Sequence, residues 1–483
     1  MRMTPRTTVV PADEARHQEP FTRVAPLLEA ALLLGAGGGF VLATILTLTQ
    51  ALAVPLGPWW TALAQAHGHL QLYGWAGLFV LGVAFHFLPR LRGMPLAAPW
   101  LVPWILGLQV AGLLLRALSQ PLVTTTQAAT WRVLLLASGI LECVALVGAI
   151  LLLGLTARRG PPLATRPAFG STFPFMATSF CALGAAGIVN LVNVVQASTT
   201  AGLVPYAGDD LNVTLGLFGF LVPMVLAMSI RSLPMYAGLE AFPGRVLWPL
   251  AGVYLAGLVL AGIGTGSDPG LADWSSRLDG LGMLLMGGVI LVFVGVFLRL
   301  MRARGRLPHR VTRLAPRPEV AARSYTTQVA RERSAYGPFV AVVASAYLWA
   351  VLGGVLLIGD GLALLFGALP PFALDAIRHS FAVGFVALMI CGVAPRMIPG
   401  FSGGNIVSPA LVRATLWLGN SAAVLRVGSL LLLPLLERLS SLGQTLDAMA
   451  FGLSGPVGLA LAVCLAVNLW PALRYRRPEQ EVT

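Results

Sequence analysis

Lysine does not occur in this chain, so all 32 of its basic side chains are arginines. Charge of either sign is scarce, at 11% of residues against 57% hydrophobic, and the mean hydropathy is +0.81. That balance excludes an ordinary soluble domain. Cysteine is nearly absent, and Cys143, Cys181, Cys391 and Cys464 lie far apart inside apolar stretches. Such placement excludes a disulfide framework or a cysteine zinc site. Cys-x-x-Cys-His does not occur, which excludes covalent attachment of a c-type haem. The first 24 residues lack the apolar core of a cleaved signal peptide, so the first apolar helix is expected to direct insertion. The formal charge of +13 does not point to nucleic acid, because the arginines sit in short loops between apolar runs without interleaved aromatics.

What the sequence has instead is a succession of apolar runs of twenty residues or more. They predict an all-α polytopic membrane protein in a lipid bilayer, with about twelve transmembrane helices from a first span near 25–50 to a last near 447–470. Arginines cluster at the N-terminus and in alternate loops, while Asp209, Asp210, Asp268, Asp273, Asp360 and Asp375 occupy the opposite loops. The positive-inside rule then places both termini in the cytoplasm. The expected organisation is a cytoplasmic tail (1–24), a single membrane domain (25–470) and a second tail (471–483). An arginine-rich loop at 302–335, containing His309, interrupts the domain and reads as a connector attracted to anionic head groups.

The helix exits repeat. Span six ends Arg231-Ser232-Leu233-Pro234-Met235-Tyr236-Ala237-Gly238, and span ten ends Arg396-Met397-Ile398-Pro399-Gly400-Phe401-Ser402-Gly403; span two closes more loosely, at Pro89-Arg90-Leu91-Arg92-Gly93. Matching exits every four spans predict three pseudo-symmetric four-helix units, at about 25–156, 171–301 and 337–470. Units with an even number of spans repeat in parallel about an axis normal to the membrane.

The six histidines are 17, 67, 69, 86, 309 and 379. His67 and His69 open span two, and His379 opens span ten at a matching depth near the outer face. Imidazoles facing each other across a bundle make a bis-histidine haem site. His67 and His69 differ by roughly 200° around a helix, so one alone can face the shared centre. His69 is the expected partner of His379, because both carry a glycine five residues on, Gly74 and Gly384. Those glycines are expected to admit a flat macrocycle. Arg426, in the outer part of span eleven, is the expected propionate partner, with Arg378, Arg132 and Arg116 near the same depth. His86 lies roughly 25 Å from His69 along the helix and is expected to snorkel at the interface. Glu142, near the middle of span four, either handles protons or serves as a neutral hydrogen-bonding group. Asn190, Asn193 and Gln196 form one polar face on span five, expected to hold helices together.

These features resemble subunit I of the haem-copper oxidases and nitric oxide reductases, in which helices two and ten supply haem ligands. The His67-Gly68-His69-x4-Gly74 start and the His379-x4-Gly384 stretch leading to Arg396-x3-Gly400-x2-Gly403 are similar, more specifically, to the NnrS family of twelve-span haem- and copper-containing membrane proteins. That resemblance implies haem b, with copper as a further cofactor, and a role in nitric oxide metabolism or protection that involves this diatomic ligand and an electron donor. The chain departs from the pattern at Phe401, where the family has histidine. It also has no histidine on span six or seven, so the copper-ligand set of an oxidase is missing. A catalytic subunit I-like oxidase or nitric oxide reductase without the usual copper site and a membrane transporter are the alternative expectations.

Overall fold

The computed structural model describes residues 21–237, 242–266, 272–302, 330–332, 334–439 and 441–475. His17, His309, most of the two expected tails and most of the 302–335 loop lie outside the described residues.

Among the described residues twelve helices are long and apolar enough to cross a bilayer. They are α1 Phe21–Ala51, α2 Pro58–Arg92, α3 Leu101–Thr126, α4 Ala129–Arg159, α5 Ala168–Thr199, α6 Tyr206–Pro234, α7 Gly244–Thr265, α8 Asp273–Arg302, α9 Phe339–Leu365, α10 Leu374–Ser402, α11 Pro409–Leu432 and α12 Ser441–Arg474. Punctuation residues set several of the ends. Pro58 starts α2 at a position whose N–H has no helical partner. Left-handed Gly93 and Gly403 close α2 and α10.

Burial separates the helices into two layers. In α2, α6 and α10, 83%, 83% and 78% of the most apolar stretch is buried, against 33–50% in the other nine helices. These three therefore form the inner layer, as the repeating exits predict. Around them stand three arcs, α3–α4–α5, α7–α8–α9 and α11–α12–α1, joined into a ring where α5 meets α7, α9 meets α11 and α1 meets α3. Lipid provides no hydrophobic drive for helix association, so close packing of small residues holds the arcs together. Gly280 and Gly287 of α8 meet Gly361 and Gly354 of α9 backbone to backbone, leaving no room for a side chain.

The inner helices share a feature that hydropathy does not show. Each contains a π-helical stretch in its first half: Leu70–Ala76 in α2, Thr214–Leu221 in α6 and Ser380–Ala387 in α10. The three stretches pack side by side, with Phe218 and Phe381 edge to face at 5.2 Å. A π turn disturbs the regular ladder, and an apolar medium requires its carbonyls to find other donors. On α6, Tyr254 donates to the Phe218 carbonyl at 2.6 Å, and Ser179 donates to that of Phe220 at 2.8 Å.

Candidate functional site

A fourth π turn, Gly35–Gly39 in α1, helps to build the site. Its run of glycines lets α2 approach closely, since a side chain at Gly35 would collide with Trp75 and one at Gly39 with Gln71. At that approach the His67 Nδ1 lies 2.8 Å from the Gly39 carbonyl oxygen. A carbonyl only accepts, so Nδ1 carries the proton and Nε2 keeps its lone pair. On α10, the His379 Nδ1 lies 2.9 Å from the Asp375 carbonyl and 3.0 Å from the Asp375 carboxylate. The same tautomer follows. Among the described residues no protein group bonds to Nε2 of either ring.

Both histidines line one cavity of about 580 Å³, within the size range of cofactor and ligand pockets. Its walls come from α1 (Phe40), α2 (His67, Gly68), α6 (Asn212), α10 (His379, Val383), α11 (Arg426) and α12 (Gly455, Gly458). His67 lies within electrostatic reach of His379, Arg426 and Asp375. Arg426 lines the same cavity: its Nη2 donates to Asp375 Oδ2 at 2.5 Å, and its guanidinium stacks 4.2 Å from the centre of the Phe451 ring. Arg378, also on the wall, pairs with Asp210. Asp375 was not foreseen from the sequence. It joins His379 to Arg426, and the signal for it was its place four residues ahead of His379 on one helix.

His69 touches the cavity edge but turns the other way. Its Nε2 lies 2.5 Å from Glu142 Oε2 on α4, and the two side chains are 5% and 0% exposed. Arg116, 3% exposed, stands beside this pair and donates to Asn190. The Tyr73 ring lies tilted, 4.7 Å from that of His69, and its hydroxyl donates to Asn212 at 3.1 Å. These residues form a second, polar compartment among α2, α3, α4 and α5. Asn193 donates to the Gly208 carbonyl at 2.8 Å, a tie between helices, whereas Gln196 is exposed. Arg132 donates to the Ser198 carbonyl at 3.0 Å and does not line the cavity.

Two further expectations require correction. Gly74 and Gly384 are not on the cavity wall. Gly74 packs against Leu113 and Leu34, and Gly384 against Trp349. Each lies inside a π turn, which shifts the residues after it around the helix relative to an α register. His86 does not snorkel. It is 1% exposed, with its ring 5.4 Å from that of Phe21 and 4.3 Å from that of Phe401, because α1 starts early enough to cover it. Among the described residues no three His, Cys, Asp or Glu side chains come together in a metal-binding group.

The chain matches neither a family model nor a curated protein. Among solved structures it superposes on a chain of a haem-copper terminal oxidase dimer determined by cryo-EM, with a TM-score of 0.63 and 14% identity over 95% of this chain and 85% of that one. The likeness is one of fold. The protein is a polytopic integral membrane protein with a haem-copper-oxidase-like arrangement of twelve helices.

Proposed function

We propose that the protein is an NnrS-like membrane haem b protein, with one haem held between His67 and His379. The observation that carries this reading is the pair of Nε2 lone pairs facing one cavity of about 580 Å³. Iron-ligating histidines usually donate their other ring N–H to a carbonyl or carboxylate, which fixes the ring and raises its basicity. Gly39 and Asp375 supply those acceptors here. Arg426 and Arg378 line the same cavity and provide cationic partners for the haem carboxylates. A bound haem would supply one-electron chemistry. The chain's residues would hold it, set its rotation and exclude water from it.

The role that follows is electron transfer in nitric oxide or nitrogen-oxide metabolism, or protection against nitric oxide, in the bacterial inner membrane. The positive-inside rule places both termini in the cytoplasm and the haem toward the outer face. A haem held by two histidines would suit electron transfer better than turnover at an open iron site, and α6 and α7 hold no histidine for a copper partner. A pyridine haemochrome spectrum of the purified protein is the test. A b-type spectrum at about one haem per chain supports the reading. A protein purified without haem, and taking up none when hemin is added, would refute it.

A further inference from the structure

At the other end of α2 lies a group of arginines that the haem reading does not use. Left-handed Gly93, at φ 65°, caps the helix and turns the chain away. The loop after it is pinned to the end of α4: the Ala97 N–H donates to Thr156 Oγ1 at 3.1 Å, and Arg159 donates to the Ala97 carbonyl at 3.2 Å. The Arg92 side chain lies in this corner, against Gly160, where any Cβ would collide with its guanidinium. It stacks 4.6 Å from the centre of the Phe169 ring. Although at the mouth of the bundle, Arg92 is only 4% exposed, and its Nε and Nη1 have no hydrogen-bond partner. The Arg166 guanidinium is packed against Gly93, within electrostatic reach of Arg92. Among the described residues no Asp or Glu pairs with either one.

Two neighbouring guanidiniums, one buried with free donors, repel each other and forfeit hydration unless an anion joins them. A phosphate suits them, since a guanidinium binds its oxygens by two parallel hydrogen bonds. The long helix α5 begins just after Arg166 and adds the positive end of its dipole. Trp100 and Trp104 at the start of α3, each 66% exposed, mark this end as head-group level. We propose that Arg92 and Arg166 form a receptor for the phosphate of an anionic phospholipid. The site is independent of the haem.

Native mass spectrometry of the full-length protein tests this, by titration with phosphatidylglycerol, with phosphatidylcholine and with inorganic phosphate. One phosphatidylglycerol is expected to bind in preference to phosphatidylcholine and to survive excess inorganic phosphate. Arg92→Gln and Arg166→Gln should each weaken it roughly tenfold, about the worth of one charge-assisted hydrogen-bond pair. Arg413→Gln, an exposed arginine in the first turn of α11, should leave it unchanged. If Arg92→Gln does not accumulate, the half-buried Arg166 carries the test alone. Equal lipid affinity in the Arg166→Gln and Arg413→Gln variants would overturn the site. Displacement of the lipid by inorganic phosphate would overturn the lipid as its occupant.

Discussion

His67 and His69 stand two residues apart, yet they serve opposite compartments. His67 turns toward α1 and α10, donates from Nδ1 to a carbonyl and leaves Nε2 to a cavity. His69 turns toward α4 and commits its Nε2 to the buried carboxylate of Glu142. The repeat explains the difference. His69 and His379 each immediately precede the π turn of their helix, so they are the equivalent positions of two units. Equivalent positions in a parallel repeat face equivalent compartments, one further round the ring. His379 faces the compartment of α11, α12 and α1, and His69 faces that of α3, α4 and α5. Symmetry therefore argues against the shared spacing as a sign of a shared centre. A common ligand must bring together positions that the repeat does not relate.

The largest expected effect lies in the first compartment. His67→Ala and His379→Ala should each reduce haem per chain by about tenfold or more, with membrane insertion unchanged, because ligation depends on imidazole and insertion on apolar length and arginine bias. Haem content against protein in purified membranes checks this, and normal loading in both variants would remove the ligand assignment. Next comes Asp375→Asn, which weakens the acceptor of His379 and the partner of Arg426 together. Loss of such an outer partner is expected to lower haem affinity roughly 10–100-fold, measured by hemin titration of the apoprotein.

The second compartment should respond in stability rather than in haem. Glu142→Ala leaves His69 and Arg116 buried without their carboxylate, at a cost on the order of 3 kcal/mol. A lowered midpoint of thermal unfolding in detergent with near-normal haem loading is the expected signature. Parallel loss of haem and stability would mean that the two compartments are not separate. The smallest effect belongs to Asp210→Asn, which breaks the partly exposed pair with Arg378 and should cost about 1 kcal/mol or less.

Much of this arrangement was legible in the sequence. Apolar length and arginine placement indicate the twelve spans, and the exits of spans two, six and ten, each bearing arginine and proline, mark the inner layer that burial displays. The interior of the site was less legible, because the π turns shift register within a helix whose composition stays apolar. Gly74 and Gly384 were expected on the cavity wall for that reason. The bond between His69 and Glu142 spans 73 residues of sequence, and no local spacing announces it. Arg426 was legible because an arginine at that depth needs an inward partner whatever its helix register. The burial of His86 is not legible in the sequence because α1 begins at Phe21, ahead of the apolar run that marks the span, and Phe21 covers the imidazole.

The most direct measurement of the central claim compares His67→Ala with His69→Ala in one optical experiment, the reduced-minus-oxidised spectrum of each purified variant at equal protein concentration. His69→Ala should keep the low-spin haem b bands of the parent at near-normal intensity, while His67→Ala loses them. Retention of those bands in His67→Ala together with their loss in His69→Ala would contradict the account and return the iron to the compartment of Glu142.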